Sequence, residues 1–424
     1  MLRPRSTEEV TFAVKACRAL ELGTIPQGGV SDGNSDRVIL SLECMNRIRQ
    51  VDLDDFSAIV EAGCVLLEMK CQLASQGMFF PLALGAQGSC RIGGNVSTNA
   101  GSVNVLRYAM TRELVLGLEV VLPDGSVFNG LSTMRKDNRG IDLKQLFIGA
   151  EGIFGIVTAV AIKLMPFARQ SRNRDAWDQF ARRCDCALSW SGVQCCDLMP
   201  AFEFMPPMAF TLAQVAIPDL VAPLGQYPAY VLMEISGSGP VDTAALIEAF
   251  LSEALESGLV LDGTITSSRA QAQNLWQFRE GMIEGQALRG KHLRTDISVP
   301  LSKLAAFLAE AEAEFSAVLP ESLAISYGHV GDGNVHLNDI PPNDLDLAIK
   351  SKKIKLAKET VNAVLDRYAG SISAEHGIGR LKRDDFDKRL DPVKKALLSS
   401  LKHALDPSAL MNPGCQLSLD LVRD

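Results

Sequence analysis

The amino-acid sequence predicts an α+β fold divided into two or three domains. Length is the first reason: 424 residues exceed what one ordinary hydrophobic core organises. The second is a series of strand-like runs in the first part, punctuated by turn dipeptides such as Asp124-Gly125. The third is a change of character near residue 170, beyond which helical stretches alternate with strand-like ones such as Tyr230-Val-Leu-Met-Glu-Ile.

The elements follow in order. Ser6 and Thr7 with Glu8 and Glu9 precede the apolar-periodic run from Val10 and predict a helix within residues 1–23. Val38-Ile-Leu-Ser-Leu, Ala58-Ile-Val-Glu-Ala and Leu114 to Leu122 read as strands, and residues 81–101, rich in Gly, Ser and Asn, as a long loop. Pro166 marks a boundary. Helical stretches follow near 176–188, 241–257, 268–289 and 301–317, and a longer one over 342–368 leads to a loop at 370–380. The expected domains are therefore 1–168, 169–370 and a C-terminal segment, 371–424.

Composition narrows the function classes. The chain is 47% hydrophobic and 22% charged, as in ordinary globular proteins, and its net charge of −8 argues against a nucleic-acid partner. No apolar run reaches membrane-spanning length, so a transmembrane protein is not expected. The start lacks the apolar region of a signal peptide. The expected location is the cytoplasm, as in a bacterium, or a mitochondrion if a targeting segment is missing from the sequence. The ten cysteines include Cys184/Cys186 and Cys195-Cys196 but no C-x-x-C, which suits free thiols in a reducing compartment.

Of five histidines, three lie in two glycine-rich segments, Tyr327-Gly-His-Val-Gly-Asp-Gly-Asn-Val-His-Leu-Asn338 and Ser373-Ala-Glu-His-Gly-Ile-Gly379. A hairpin turning at Asp332-Gly333 places His329 opposite His336, on one face and close enough to grip one metal ion. Asn338 shares the face of His336. Glu375 completes a His-His-carboxylate set with a position open to substrate, the mark of a catalytic site. His376, beside Glu375, suits a general base because imidazole titrates near neutrality.

Both histidine segments closely resemble signatures of the FAD-linked oxidase and 2-hydroxyacid dehydrogenase family. That family includes D-lactate dehydrogenase, the glycolate oxidase flavin subunit and D-2-hydroxyglutarate dehydrogenase, and carries a vanillyl-alcohol-oxidase-type flavin domain, also called PCMH-type. The resemblance extends over nearly the whole chain. It includes Leu2-Arg-Pro-Arg-Ser-Thr-Glu-Glu-Val, Gly85-Ala-Gln-Gly-Ser-Cys-Arg-Ile-Gly-Gly-Asn-Val-Ser-Thr-Asn-Ala-Gly101, Arg135-Lys-Asp-Asn, Leu143-Lys-Gln-Leu-Phe-Ile-Gly-Ala-Glu-Gly and Met411-Asn-Pro. Phe202-Glu-Phe-Met and Leu259-Val-Leu-Asp-Gly-Thr resemble the D-2-hydroxyglutarate branch most.

The resemblance implies an FAD-binding domain over 1–168, an α+β substrate domain with an antiparallel sheet, and a C-terminal helical return to the flavin. It implies flavin contacts from Pro26, Gln27, Gly28 and Gly29, from Pro81 and Gly85, and from Glu151, Gly152, Gly155, Ile156, Val157 and Asn412. Between these, Gly88, Gly93, Gly94 and Gly101 let backbone approach a bulky cofactor, and Ser89, Asn95, Thr98 and Asn99 offer neutral hydrogen bonds. The first flavin loop departs from the family pattern: Pro26-Gln-Gly-Gly29 runs straight to Val30-Ser-Asp-Gly and is shortened.

For the substrate, Arg279 resembles the arginine that grips the carboxylate, and Arg294 stands where the D-2-hydroxyglutarate branch has a lysine for the distal one. Ile283 replaces a threonine of that branch. The implied activity is oxidation of a D-2-hydroxy acid, D-2-hydroxyglutarate or similar or D-lactate, to the 2-oxo acid. Hydride passes to FAD with help from a divalent metal, zinc foremost and manganese as the alternative. Electrons then pass to an electron-transferring flavoprotein or quinone, and a homodimer is a family expectation. Two other readings stay open at this point: a metal-dependent hydrolase on the same His-His-Glu site, and a non-catalytic, flavin-deficient paralogue, which the shortened loop favours.

Overall fold

The structure is a computed structural model and describes residues 1–27, 37–166, 170–177, 196–237 and 241–418. The chain forms two compact units. The first is Met1–Ser102, Tyr108–Phe167 and Glu375–Asp424; the second is Val103–Arg107 with Ala168–Ala374.

The first unit is organised by a five-stranded antiparallel sheet in the order Ile48–Asp52, Ser57–Glu61, Ile156–Lys163, Val115–Val121, Val127–Gly130. Its central strand, Ile-Val-Thr-Ala-Val-Ala-Ile-Lys, is buried except at Lys163, as expected of a β-branched run covered on both faces. The Asp124-Gly125 turn joins the last two strands as expected, with Gly125 at φ +80°.

The N-terminal helix Thr7–Ala19 is capped by the Ser6 hydroxyl, which accepts from the Glu9 N–H at 3.3 Å. The helix is tied to the sheet by Thr7, whose hydroxyl donates to buried Glu119 at 2.7 Å, while Arg49 pairs with both Glu119 and Glu61. A parallel pair, Gly23–Gln27 with Arg37–Ser41, completes this part, and the residue 411 bridge to Thr24 returns the C-terminal stretch to it. Within the expected loop 81–101 the chain makes one short helix, Ile92–Ser97. Ile92 and Val96 are fully buried there, and their burial outweighs the poor helix propensity of the glycines between them.

In the second unit an antiparallel sheet runs Ala201–Met205, Tyr230–Gly237, Gln170–Trp177, Asp262–Ile265. The expected helix near 176–188 begins on a strand and otherwise lies outside the described residues. The helices Thr243–Glu256, Arg269–Leu288, Leu304–Val318 and Leu347–Arg367 stand where periodicity places them. A second sheet holds Ile297–Ser298, Asn334–Ile340 and Leu323–Tyr327. The paired backbones of Phe204 and Gly328 connect the two sheets.

The hairpin register differs from the sequence expectation. The strand partner of His336 is Tyr327, and His329 lies in the connecting loop. Gly328, at φ +144° and held by its backbone bonds to Phe204, takes the chain out of the strand early, so the turn is longer than Asp332-Gly333 alone requires.

Candidate functional site

Each unit carries one part of the predicted site. The strand Asn334–Ile340 is buried along its whole length, and its even positions Asn334, His336 and Asn338 are polar. A polar face that loses water must find protein partners. His336 Nδ1 lies 2.8 Å from the Thr295 carbonyl. Asn338 accepts from the Thr295 N–H at 2.9 Å and donates to Gln286 at 2.8 Å and to the Tyr327 hydroxyl at 3.2 Å. Both amide hydrogens of Asn338 are thus committed to protein atoms. The residue shares the face of His336 as expected, and these three bonds fix its side chain.

His329 reaches the same region from its loop. The two imidazole centroids are 6.0 Å apart. His329 Nδ1 lies 2.6 Å from Glu203 Oε1, so each ring has Nδ1 anchored on an oxygen, which fixes its orientation. Burial pushes the His336 pKa down, and the nearby Arg279 cation adds to the effect. A neutral imidazole is the form that binds metal.

The helix Arg269–Leu288 starts at Ser268, whose hydroxyl caps it, and buries Leu275, Phe278, Arg279, Met282 and Gln286 on one face. Helical spacing thereby carries one cation and one amide inward with the apolar residues. Arg279 Nε donates to Glu203 Oε2 at 3.0 Å, and its guanidinium stands 5.0 Å from the Tyr327 ring centre. Glu203 is 1% exposed. Burial raises its pKa, but His329 and Arg279 more than offset this and hold it at about 2.

Sequence reasoning did not single out Glu203 as a site residue. The signal was the carboxylate between Phe202 and Phe204 on a fully buried strand, where a charge needs a partner. Gln286 and Thr295 were missed as well; only their partners across the fold give them a role. Arg294 is exposed and donates through Nε to His292 Nε2 at 3.1 Å. Ile283 is also exposed. Glu375 directly follows Ala374, the last residue of the second unit, whose N–H donates to the Asp296 carbonyl at 3.2 Å.

The first unit holds a cavity of about 510 Å³. Gly93, Gly94, Asn95 and Thr98 line it from the short helix, and Pro26 and Gln27 from the parallel pair. Glu151, Gly152, Gly155, Ile156 and Val157 line it from the turn that opens the central strand, and Asn412 from the C-terminal stretch. Gly152 sits at φ +77°, and a Cβ there would meet Pro26 at 2.5 Å, so the turn admits only glycine. His376 lines the same cavity.

Pro81, Gly85, Gly88, Ser89, Asn99 and Gly101 do not line it. Ser89 donates to the Ala86 carbonyl in a local turn, and Asn99 Oδ1 accepts from the Arg112 N–H, 13 residues along the chain. Gly28 and Gly29 lie outside the described residues.

The lining suits FAD. The Nε groups of Arg91 and Arg380 are buried without a hydrogen-bond partner among the described residues, two donors suited to phosphate oxygens, and Asn95 Oδ1 adds an unpaired acceptor.

Comparison with known proteins identifies the class. The FAD linked oxidases C-terminal domain matches residues 198–415, and the FAD binding domain matches residues 1–130. The chain is 39% identical over 426 residues to "Probable D-2-hydroxyglutarate dehydrogenase, mitochondrial" of Oryza sativa subsp. indica, spanning 97% of this chain and 74% of that protein. It is 35% identical over 420 residues to the D-2-hydroxyglutarate dehydrogenase of Xanthomonas citri pv. viticola, spanning 97% of this chain and 87% of that one. The fold matches that of p-cresol methylhydroxylase with substrate bound at a TM-score of 0.74 and 15% identity, over 99% of this chain and 88% of that one. The chain belongs to the FAD-linked oxidase family, and it is an FAD-dependent oxidoreductase of α+β architecture. Among the described residues no helix is long and apolar enough to cross a membrane.

Proposed function

We propose that this enzyme oxidises a D-2-hydroxy acid to the 2-oxo acid, with a short dicarboxylate of the D-2-hydroxyglutarate kind ahead of D-lactate. One observation carries the reading: buried Glu203 holds Arg279 through one oxygen and His329 through the other. An anion-gripping cation and a metal-ready imidazole are thereby fixed side by side before substrate arrives.

When bound, FAD supplies the hydride acceptor, and a divalent ion, zinc foremost, supplies a Lewis acid for the substrate hydroxyl. Arg279 receives the substrate carboxylate. Its Nε is given to Glu203, and its two Nη nitrogens have no hydrogen-bonding partner among the described residues, which leaves the end of the guanidinium for a bidentate grip. His329 and His336 present Nε2 to the metal, with Glu375 as third ligand. The tether of Ala374 to the Asp296 carbonyl supports that role, because Asp296 follows the residue that anchors His336. His376 accepts the hydroxyl proton. Arg294 takes the distal carboxylate. Electrons leave to an electron-transferring flavoprotein or a quinone.

The test is an assay of the purified, FAD-loaded protein with a dye acceptor over a panel of D-2-hydroxy acids. Substrate-dependent bleaching of the flavin band, lost on chelation and restored by zinc or manganese, is expected. Full turnover by His376→Ala, or after metal stripping, refutes the assigned roles.

A further inference from the structure

We propose that Glu151 is a positioning residue that fastens the loop bearing His376 at the cavity of the first unit, and that its carboxylate is not a flavin ligand. The inference rests on the reading of His376 as the proton acceptor. The sequence grouped Glu151 with the cofactor contacts because it lies in the Gly149-Ala-Glu-Gly segment. Its hydrogen bonds assign it differently.

Glu151 Oε1 accepts from the Ile378 N–H at 2.8 Å and from Gln416 Nε2 at 2.8 Å. Oε2 accepts from the Gly379 N–H at 2.8 Å and from the Cys415 thiol at 3.3 Å. A carboxylate has about four lone-pair sites, and four donors occupy them. None is left for a flavin donor. The two successive backbone N–H groups, Ile378 and Gly379, form a small anion nest that this one carboxylate fills.

The other end of Glu151 is equally fixed. Its N–H donates to the Ser97 carbonyl at 2.7 Å, and its carbonyl accepts from Asn412 Nδ2 at 2.6 Å. Its φ of +49° is strained for a residue with a side chain and persists only because these bonds over-determine it. Gly377 is shaped by the same contact: a Cβ there would lie 2.8 Å from Glu151 Oε1, at φ +77°. The loop that carries His376 is therefore bolted to the cavity-lining residues Ser97 and Asn412 through one residue, its carboxylate on the loop side and its backbone on the other.

The experiment compares Glu151→Gln with the parent in the FAD-loaded enzyme. The amide in place of one carboxylate oxygen turns an acceptor into a donor facing a donor, at nearly constant shape. Three quantities are read: hydrogen exchange at the 378 and 379 amides, bound FAD, and kcat against KM. The expected result is loss of at least about tenfold in protection at those two amides. FAD content stays at the parent level. kcat falls by roughly 10- to 100-fold while KM stays within about twofold, as when a reacting group is displaced by about an ångström. Loss of FAD with kcat per bound flavin unchanged overturns the proposal, and so does unaltered protection at 378 and 379. Exchange is read without turnover, so an error in the role of His376 shows separately, as full activity in His376→Ala.

Discussion

Glu203 and Arg279 form an ion pair almost without solvent exposure, Nε to Oε2 at 3.0 Å, with side chains 1% and 6% exposed. The same carboxylate holds His329 at 2.6 Å. Removing it strands a buried guanidinium and frees an imidazole to rotate. Glu203→Ala is expected to cost roughly 3–5 kcal/mol of stability, the usual penalty for breaking a buried pair. The segments of the first unit contain no tryptophan, so tryptophan fluorescence during urea unfolding reports on the rest of the chain, which contains the pair. A loss below about 1 kcal/mol contradicts the buried-pair account.

Metal affinity tests the second half of that carboxylate. Glu203→Gln keeps its volume but no longer supplies a charge to fix the His329 tautomer. Affinity for zinc is expected to fall by about 10- to 100-fold, the customary effect of losing an outer partner of a ligating histidine. Titration of metal-stripped protein measures it. Equal affinities in parent and variant separate Glu203 from the metal.

Arg279→Lys isolates the planar fork. The lysine still offers Glu203 a cation, so folding is largely retained, but a point charge cannot bind a carboxylate bidentately. Steady-state kinetics on the FAD-loaded enzyme should show kcat/KM for any D-2-hydroxy acid reduced by at least about thirtyfold, equivalent to about 2 kcal/mol of binding lost in the transition state. Parent-like kcat/KM removes Arg279 from substrate contact.

Much of this arrangement was legible in the sequence because it is local. The Ser6 cap, the Asp124-Gly125 turn and the helix Arg269–Leu288 follow from side-chain chemistry and spacing within a few residues. His329 and His336 were legible as a pair although the register was not. Their proximity survives because a loop brings His329 to within 6.0 Å of His336, while the strand pairing that was expected to do so falls on Tyr327. Glu203 and Glu151 were not legible as site organisers. Their partners are 76 and 126 residues away for Glu203 and more than 200 away for Glu151, and no local pattern encodes such separations. Asn338 shows the opposite limit: the face was right, but two of the three partners of its amide, Gln286 and Thr295, come from outside the hairpin.

Arg294 bears on which acid is used. It is exposed and steered by its bond from Nε to His292 Nε2 at 3.1 Å, and in the proposed role it gives a second cation to a dicarboxylate and nothing to a monocarboxylate. Arg294→Ala is expected to raise KM for D-2-hydroxyglutarate by roughly tenfold, about what a partly exposed charge-assisted hydrogen bond is worth, with KM for D-lactate unchanged. Equal effects on both substrates remove Arg294 from the distal carboxylate.

Asp339 makes stability depend on pH. It is fully buried, neither carboxylate oxygen has a hydrogen-bond partner among the described residues, and burial pushes its pKa up to about 6. In the unfolded chain it titrates at its ordinary value of 3.8. Below both values the acid is protonated in either state and carries no penalty. Between them the folded protein keeps a proton that the unfolded chain has lost, so stability falls as pH rises through this window. Above about pH 6 the full penalty persists, about 3 kcal/mol for a shift of roughly two units. Asp339→Asn replaces the carboxylate by a neutral group of the same shape. It should therefore stabilise the protein at pH 8 by up to about 3 kcal/mol and by progressively less toward pH 4.5. Urea unfolding at both pH values decides it: a gain of equal size at both means that the Asp339 charge is not the cause.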